Sequence, residues 1–528
     1  MADNNSISLI YMNAVNEYLS LLDLTDLPAP HEMECDLLAL INGVIKTCNV
    51  DREKSDRFAY LKTLPARLIA DLILHIYPVK KIIWNHDSTV GELFIYQTDG
   101  DDKGIYSNDA AVFHQIIRQF DYASRPSTVD DVMQILSDCA VVAKVNNDPD
   151  LVPVNNGIFN YKTKELMPFS PDYIFTTKSR VDYNPNAKNV VIHNDADNTD
   201  WDVESWMHEL SDDDAVVDLL WQVIGASVRP YVRWDKIVCF YSTIGCNGKG
   251  TLCRLIRNLC RNTANIPFSS FGDEFILEQL LNASAIITDE NVTRSYIRCT
   301  DKIKAVVTHD NITINRKYRM PITIKFDGLM IQCINDMPKF GDKTDSLYRR
   351  LLLIPFEKTF VNCDREYIKE EYLNKKEVLE YVLFKILNTD YYKFSNPEVC
   401  KTFLEDFKVF NDPVRDFLNE ILPQCKWSLL PYDFLYDLYK EWLKDNCPTG
   451  QLQGKRTFIQ DVKTVMISSQ EWLIKNTPVQ TRSHMNETET LIYQYDLTRW
   501  KSDYKGNDIS RICNFTKKAS YRGLLKNT

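Results

Sequence analysis

No apolar run in this chain approaches the ~18 residues of a membrane-spanning helix, so no transmembrane segment is expected. The first residues, Met1-Ala2-Asp3-Asn4-Asn5, carry neither a basic region nor an apolar stretch, and no secretory signal is expected. None of the 14 cysteines falls in a C-x-x-C pair. They read as reduced, mostly buried thiols of a cytoplasmic protein. Cys239, Cys246, Cys253 and Cys260 lie seven apart, yet they straddle a strand, a loop and a helix, so that spacing is not read as a metal signature. There is no internal repeat and no low-complexity tract. Positive charge is in deficit, with 62 Lys and Arg against 73 Asp and Glu and a net charge of −11. That argues against wholesale adsorption to nucleic acid. It leaves room for a local basic surface, which is what an enclosed channel needs.

What is present is an ordinary globular composition, 44% hydrophobic and 26% charged, over 528 residues. That length implies roughly three or four domains. The most telling segment runs from Ile237-Val238-Cys239-Phe240-Tyr241, a β-prone apolar run, through Ser242-Thr243-Ile244-Gly245-Cys246-Asn247-Gly248-Lys249-Gly250-Thr251. Leu252, Leu255, Ile256 and Leu259 then recur at helical spacing. Strand, Gly-rich turn with one Lys, and helix together make a phosphate-binding loop. Backbone N–H groups close on an anion, the helix N-terminus adds partial positive charge, and Lys249 reaches the outer phosphates. Residues Gly245 to Thr251 are therefore expected to bind a nucleoside triphosphate with Mg²⁺. The usual pattern is G-x-x-x-x-G-K-[ST]; here Thr243 stands at the first Gly and Gly250 at the Mg²⁺-binding hydroxyl. Either water holds the metal or Thr251 compensates. An ordinary strand-to-helix turn containing a Lys is the alternative.

Further residues suit the same chemistry. Ala285-Ile286-Ile287-Thr288 is an apolar run ending in Asp289 and Glu290. Asp289 is assigned to metal and Glu290 to general base, against the alternative of a solvated acidic turn. Asn311 to Asn315 and Ile322 to Phe326 alternate like strands around Arg316-Lys317-Tyr318-Arg319, a basic aromatic hairpin tip suited to a sugar-phosphate backbone and a base. A solvated tip fits those residues equally. Leu329 to Ile334 reads as a buried strand ending in Asn335, placed to orient an attacking water or simply to begin the turn before Pro338. Arg349 and Arg350 precede the strand Leu351 to Phe356, either as an arginine finger acting on a neighbouring subunit or as a structural ion pair.

The remaining chain divides by composition. Residues 1–60 read as a helical segment and 61–230 as mixed α+β, with Asn155-Asn156-Gly157 as a tight turn. Residues 231–410 alternate strands and helices as a parallel-sheet nucleotide domain. Residues 411–500 carry helices at Val414–Leu422, Leu435–Leu443 and Phe458–Val465, then a β-like Thr490–Tyr495, suggesting a winged helix. Residues 501–528 read as a basic, flexible tail.

The ordered set of phosphate loop, strand-Asp-Glu, basic hairpin, strand-Asn and Arg-Arg before Ile354-Pro355-Phe356 resembles superfamily 3 helicases of the AAA+ class. It is most similar to the phage, plasmid and poxvirus-type helicase–primase family. Asn155-Asn156-Gly157-Ile158-Phe159, Val181-Asp182-Tyr183-Asn184-Pro185 and Lys304 to Asp310 look like further family segments, as do Leu435 to Trp442 and Lys455 to Phe458. The resemblance covers about residues 60–480. It implies a multidomain α/β chain with an AAA+ P-loop ATPase core, an α+β N-terminal domain and a C-terminal winged-helix-like domain. It also implies a homo-hexamer using ATP and Mg²⁺ and moving 3′ to 5′ on single-stranded or forked DNA, with Arg349 or Arg350 acting across the subunit interface and the Lys317 and Arg319 region lining the channel. Replication of a phage, plasmid or other mobile element in a bacterial cytoplasm is the expected setting. Thr308 and His309 stand where the family run has two glycines. The residues ahead of Asn155 show no zinc-ligand spacing, so no primase activity is expected, and a separate or host primase and replication proteins are the implied partners. A small-molecule kinase and an ATP-switched DNA-binding initiator or loader are the competing readings.

Overall fold

The computed structural model describes residues 2–84, 91–195, 197–291, 296–297, 299–340, 342–360, 365–446, 452–467, 469–513 and 518–527. The chain is a mixed α/β protein of two compact units. The first comprises residues 1–295, 301–336 and 354–397, and the second 296–300, 337–353 and 398–528. Among the described residues no helix is long and apolar enough to cross a membrane.

The first unit begins with helices Ala2–Leu21, Pro30–Cys48 and Ala66–Ile76, followed later by Ala110–Phe120 and Pro126–Cys139. Leu37, Ile41 and Ile45 recur every four residues and so share one helix face. They are fully buried in a single core with Leu68, Leu72, Phe113, Ile117 and Leu136. Residues 1–60 are therefore not a separate segment; their apolar face is covered by helices from beyond residue 60. A hairpin around Asp99 to Asp102 pairs Tyr96 with Tyr106, and the Asn155-Asn156 turn joins strands that pair Val154 with Gly157.

The region from Ile237 to Pro355 forms a five-stranded sheet. Its strands are β1 (Ile237–Tyr241), β2 (Thr263–Ala264), β3 (Ala285–Thr288), β6 (Leu329–Ile334) and β7 (Leu351–Pro355), in the order β2-β3-β6-β1-β7. Between β3 and β6 in sequence lies a separate antiparallel hairpin of β4 (Ile312–Arg316) and β5 (Arg319–Ile324). Strand β1 runs parallel to β6, β6 to β3, and β3 to β2. Both faces of the sheet are covered, so β3 and β6 are buried at every position, which explains their unbroken apolar sequences. Helix α1 (Lys249–Leu259) seats Leu252, Leu255, Ile256 and Leu259 in the core. Parallel strands end on one side, so the segments following β1, β3 and β6 meet at the carboxyl edge of the sheet, the usual ligand side of such a fold.

In the second unit, α2 (Pro413–Ile421), β8 (Leu429–Pro431), α3 (Tyr432–Asn446), α4 (Lys455–Met466), β9 (Trp472–Gln480) and β10 (Ser520–Lys526) follow in turn. They enclose Phe417, Trp427, Trp442 and Phe458. The sheet order is β8-β10-β9, antiparallel throughout. Two expectations are corrected here. Thr490–Tyr495 is not a strand: Leu491–Gln494 is a single helical turn, and Glu489 accepts the Leu491 N–H at 3.5 Å. Residues 501–528 are not simply a flexible tail, because β10 is the central strand of this sheet. Leu524 is fully buried and Tyr521 nearly so, whereas Arg522 is exposed. A Cβ on Gly523 would lie 2.0 Å from the Leu430 carbonyl oxygen, so only glycine allows this approach of β8.

Candidate functional site

The loop after β1 carries two residues in the left-handed region, Cys246 at φ 53° and Gly248 at φ 85°. A Cβ on Gly248 would sit 2.5 Å from Leu210 Cδ2, so both backbone and space demand glycine there. Asn247 ties the loop by donating to the Ile244 carbonyl and accepting the Lys249 N–H at 3.3 Å. Lys249 opens α1 and is only 6% exposed. Its Nζ donates to Asn335 Oδ1 at 2.9 Å and more weakly to the Ser242 carbonyl at 3.4 Å. Burial pushes the Lys249 ammonium below its ordinary pKa. A buried cation with so few acceptors is stabilised by an incoming anion.

A cavity of about 570 Å³ opens beside it, lined by Gly245, Cys246, Asn247, Lys249, Gly250, Asp289, Glu290, Asn335 and Lys369, among others. The structure thus brings most of the expected nucleotide residues to one place. Asp289 Oδ2 accepts from Arg257 Nη1 at 2.7 Å. Glu290 is exposed to solvent. The next residue, Asn291, holds this strand end in place: its Nδ2 donates to Gln332 Oε1 and the Cys333 carbonyl, both at 3.0 Å.

Gly250 and Thr251 point to different spaces. Gly250 lines the Asp289 cavity, and a Cβ there would meet nothing within 4 Å. Thr251 lines a neighbouring cavity of about 490 Å³ instead, with Trp206, Gly248, Phe360 and Arg365.

The hairpin divides its four expected DNA residues. Arg316 is 8% exposed, ion-paired with Glu92, and donates Nη2 to the Met320 carbonyl at 2.8 Å. It holds the hairpin down and does not present its charge, which corrects its grouping with the other three. Lys317 and Tyr318 form the turn, with Arg316 paired to Arg319. Tyr318 is 94% exposed at φ 61°. Lys317 Nζ lies 5.2 Å from its ring centroid.

Arg349 and Arg350 belong to the second unit. Arg350 Nη1 bonds Ser346 Oγ at 2.9 Å, and Arg349 is exposed. His309, where a glycine was expected, has φ 56° and is buried, its Nδ1 2.7 Å from the Phe326 carbonyl. The backbone there keeps the conformation glycine favours, and the imidazole is accommodated by this contact. The sequence reading missed Arg257, Asn291 and Lys369. A signal existed for the first: Lys249, Cys253 and Arg257 recur every four residues along one face of α1.

Three family models match separate segments. Residues 68–211 match one described as "D5 N terminal like" and residues 410–497 one described as "Poxvirus D5 protein-like". Residues 240–350, from β1 to Arg350, match a "Family of unknown function (DUF5906)". The chain therefore carries D5-type segments in both units. No curated protein matches it. Among solved structures it is similar to an A-form apo structure of the NrS-1 C-terminal region, at 15% identity and TM-score 0.40, covering 79% of this chain and 88% of that one. A second A-form apo structure of that region gives 14% identity and TM-score 0.43, covering 88% and 100%. At these scores the likeness carries no structural argument.

Proposed function

We propose that the chain is an ATP-driven DNA helicase of a replication system, with an AAA+ motor and a C-terminal winged helix. The observation that carries this reading is the buried Lys249, held against Asn335 at the edge of a cavity that Asp289 and Glu290 also line. The loop amides and Lys249 would hold the phosphates, and the cavity walled by Trp206 and Phe360 would take the base. Glu290 would accept the proton of the attacking water, which Asn335 orients. Bound Mg²⁺, near Asp289, supplies charge neutralisation. Arg349, the more exposed of the pair, is the better finger across a homo-hexamer interface. Single-stranded DNA would meet Lys317, Tyr318 and Arg319 at the hairpin tip, where the exposed Tyr318 ring offers a base a stacking surface. The order helix, strand, two helices and two strands in the second unit supports the winged-helix reading. The D5-type segments support a role in DNA replication; a separate primase and the cytoplasm of a host cell are further parts of the proposal.

A second reading, an ATP-switched initiator or loader, is favoured by the missing hydroxyl at Gly250. Hydrolysis separates the two. Wild type should hydrolyse ATP with Mg²⁺, faster with DNA, and Glu290→Gln should keep nucleotide binding while losing about a hundredfold or more in turnover. Binding without turnover in the wild type would favour the switch.

A further inference from the structure

Behind the phosphate loop, Cys253 of α1 and Cys333 of β6 face each other with Sγ atoms 3.4 Å apart. Both are buried, at 0% and 2% exposure. Their sulfurs and one carboxylate oxygen of Asp289 all lie within 4.8 Å of one another. Two thiols and a carboxylate at this spacing form the donor set of a thiophilic divalent cation, for which Zn–S is ~2.3 Å and Zn–O ~2.1 Å. Closing on an ion requires shifts under about 1 Å per ligand. Asp289 is exposed and also lines the cavity beside Lys249, so the carboxylate is the ligand on the open side of the cluster. Charge balances as well. Two thiolates, one carboxylate and a divalent ion leave one negative charge, and Arg257 stands 2.7 Å from Asp289.

We propose that Cys253, Cys333 and Asp289 form a Zn²⁺ site that holds the nucleotide centre in an inactive state. Zn²⁺ there takes the carboxylate assigned to Mg²⁺, and the two thiols release their protons. The inhibition rests on the proposed nucleotide reading; the metal site does not.

The test is Co²⁺ and Zn²⁺ titration of the full metal-free chain. Co²⁺ should give a thiolate-to-cobalt charge-transfer band that saturates at one equivalent and disappears when Zn²⁺ is added. Cys253→Ser and Cys333→Ser should each abolish the band. Asp289→Asn, on the exposed side of the site, should keep both thiols and weaken binding by about tenfold or more. Cys246→Ser, on the loop, should leave the titration unchanged. If neither cysteine variant alters the band, or Cys246→Ser removes it, the site is wrong. Should a cysteine variant fail to fold, the Asp289→Asn titration decides alone, and unchanged affinity there overturns the proposal. ATP turnover is measured alongside. A normal metal titration with no turnover in any sample would count against the nucleotide reading and leave the metal site standing.

Discussion

Lys249 in the first unit and Glu489 in the second are both buried charges, at 6% and 0% exposure, yet their surroundings differ in kind. Glu489 accepts from three backbone N–H groups, of Lys426 at 2.7 Å, Trp427 at 3.1 Å and Leu491 at 3.5 Å. Those bonds join the segment before β8 to the turn at Leu491. Lys249 has one good acceptor, Asn335, and a distant carbonyl. A buried charge whose partners all come from its own chain builds structure. One left short of partners beside an open cavity is kept for a ligand.

Lys249→Ala should reduce ATP turnover by about a hundredfold or more, equivalent to ~2.7 kcal/mol on the barrier. Removing an under-satisfied buried cation should leave unfolding free energy within ~0.5 kcal/mol of wild type in urea titration. A large stability loss would make Lys249 structural. Glu489→Ala should do the reverse, costing ~1–3 kcal/mol through the stranded N–H groups and leaving ATP binding unaltered.

Acidity sharpens this second case. Burial raises the Glu489 carboxyl above its ordinary pKa, outweighing the opposing N–H bonds. The folded chain therefore holds this proton more tightly than the unfolded chain. The Glu489 contribution becomes more favourable as pH falls through the raised folded value towards the ordinary glutamate value. Wild type should then gain stability relative to Glu489→Gln on mild acidification, read by paired melts across that range. A gap that moves the other way would contradict the assignment.

Tyr318→Ala should weaken single-stranded DNA binding by ~1–3 kcal/mol if a base stacks there. Lys317→Ala and Arg319→Ala should each reduce the salt dependence by about 0.7 in logarithmic slope. Arg316→Ala should instead destabilise the hairpin by removing its buried ion pair with Glu92. The smallest effect is expected for Gly250→Ser. Open space around that position should keep stability within ~0.5 kcal/mol, while the added hydroxyl lowers the Mg²⁺ concentration needed for half-maximal turnover.

The sheet and loop around Lys249 were legible because their signals are local. Buried parallel strands read as unbroken apolar runs, and parallelism alone places Lys249, Asp289, Glu290 and Asn335 at one sheet edge. What escaped depends on distant partners. Tyr521 and Leu524 become part of strand β10 only against Leu430, Ile474 and Val479, earlier in the chain. The helix faces of residues 1–60 do not name the helices that cover them. The burial of Arg316 needs Glu92, over two hundred residues away. Composition alone cannot separate a basic residue that reaches outward from one that anchors the hairpin.

Strand displacement on 3′-tailed and 5′-tailed forked DNA with ATP and Mg²⁺ bears on a motor built on Lys249 more than any other measurement. Wild type should unwind the 3′-tailed fork, and Lys249→Ala should unwind neither. Displacement that persists in Lys249→Ala, or is absent from wild type on both forks, would contradict it.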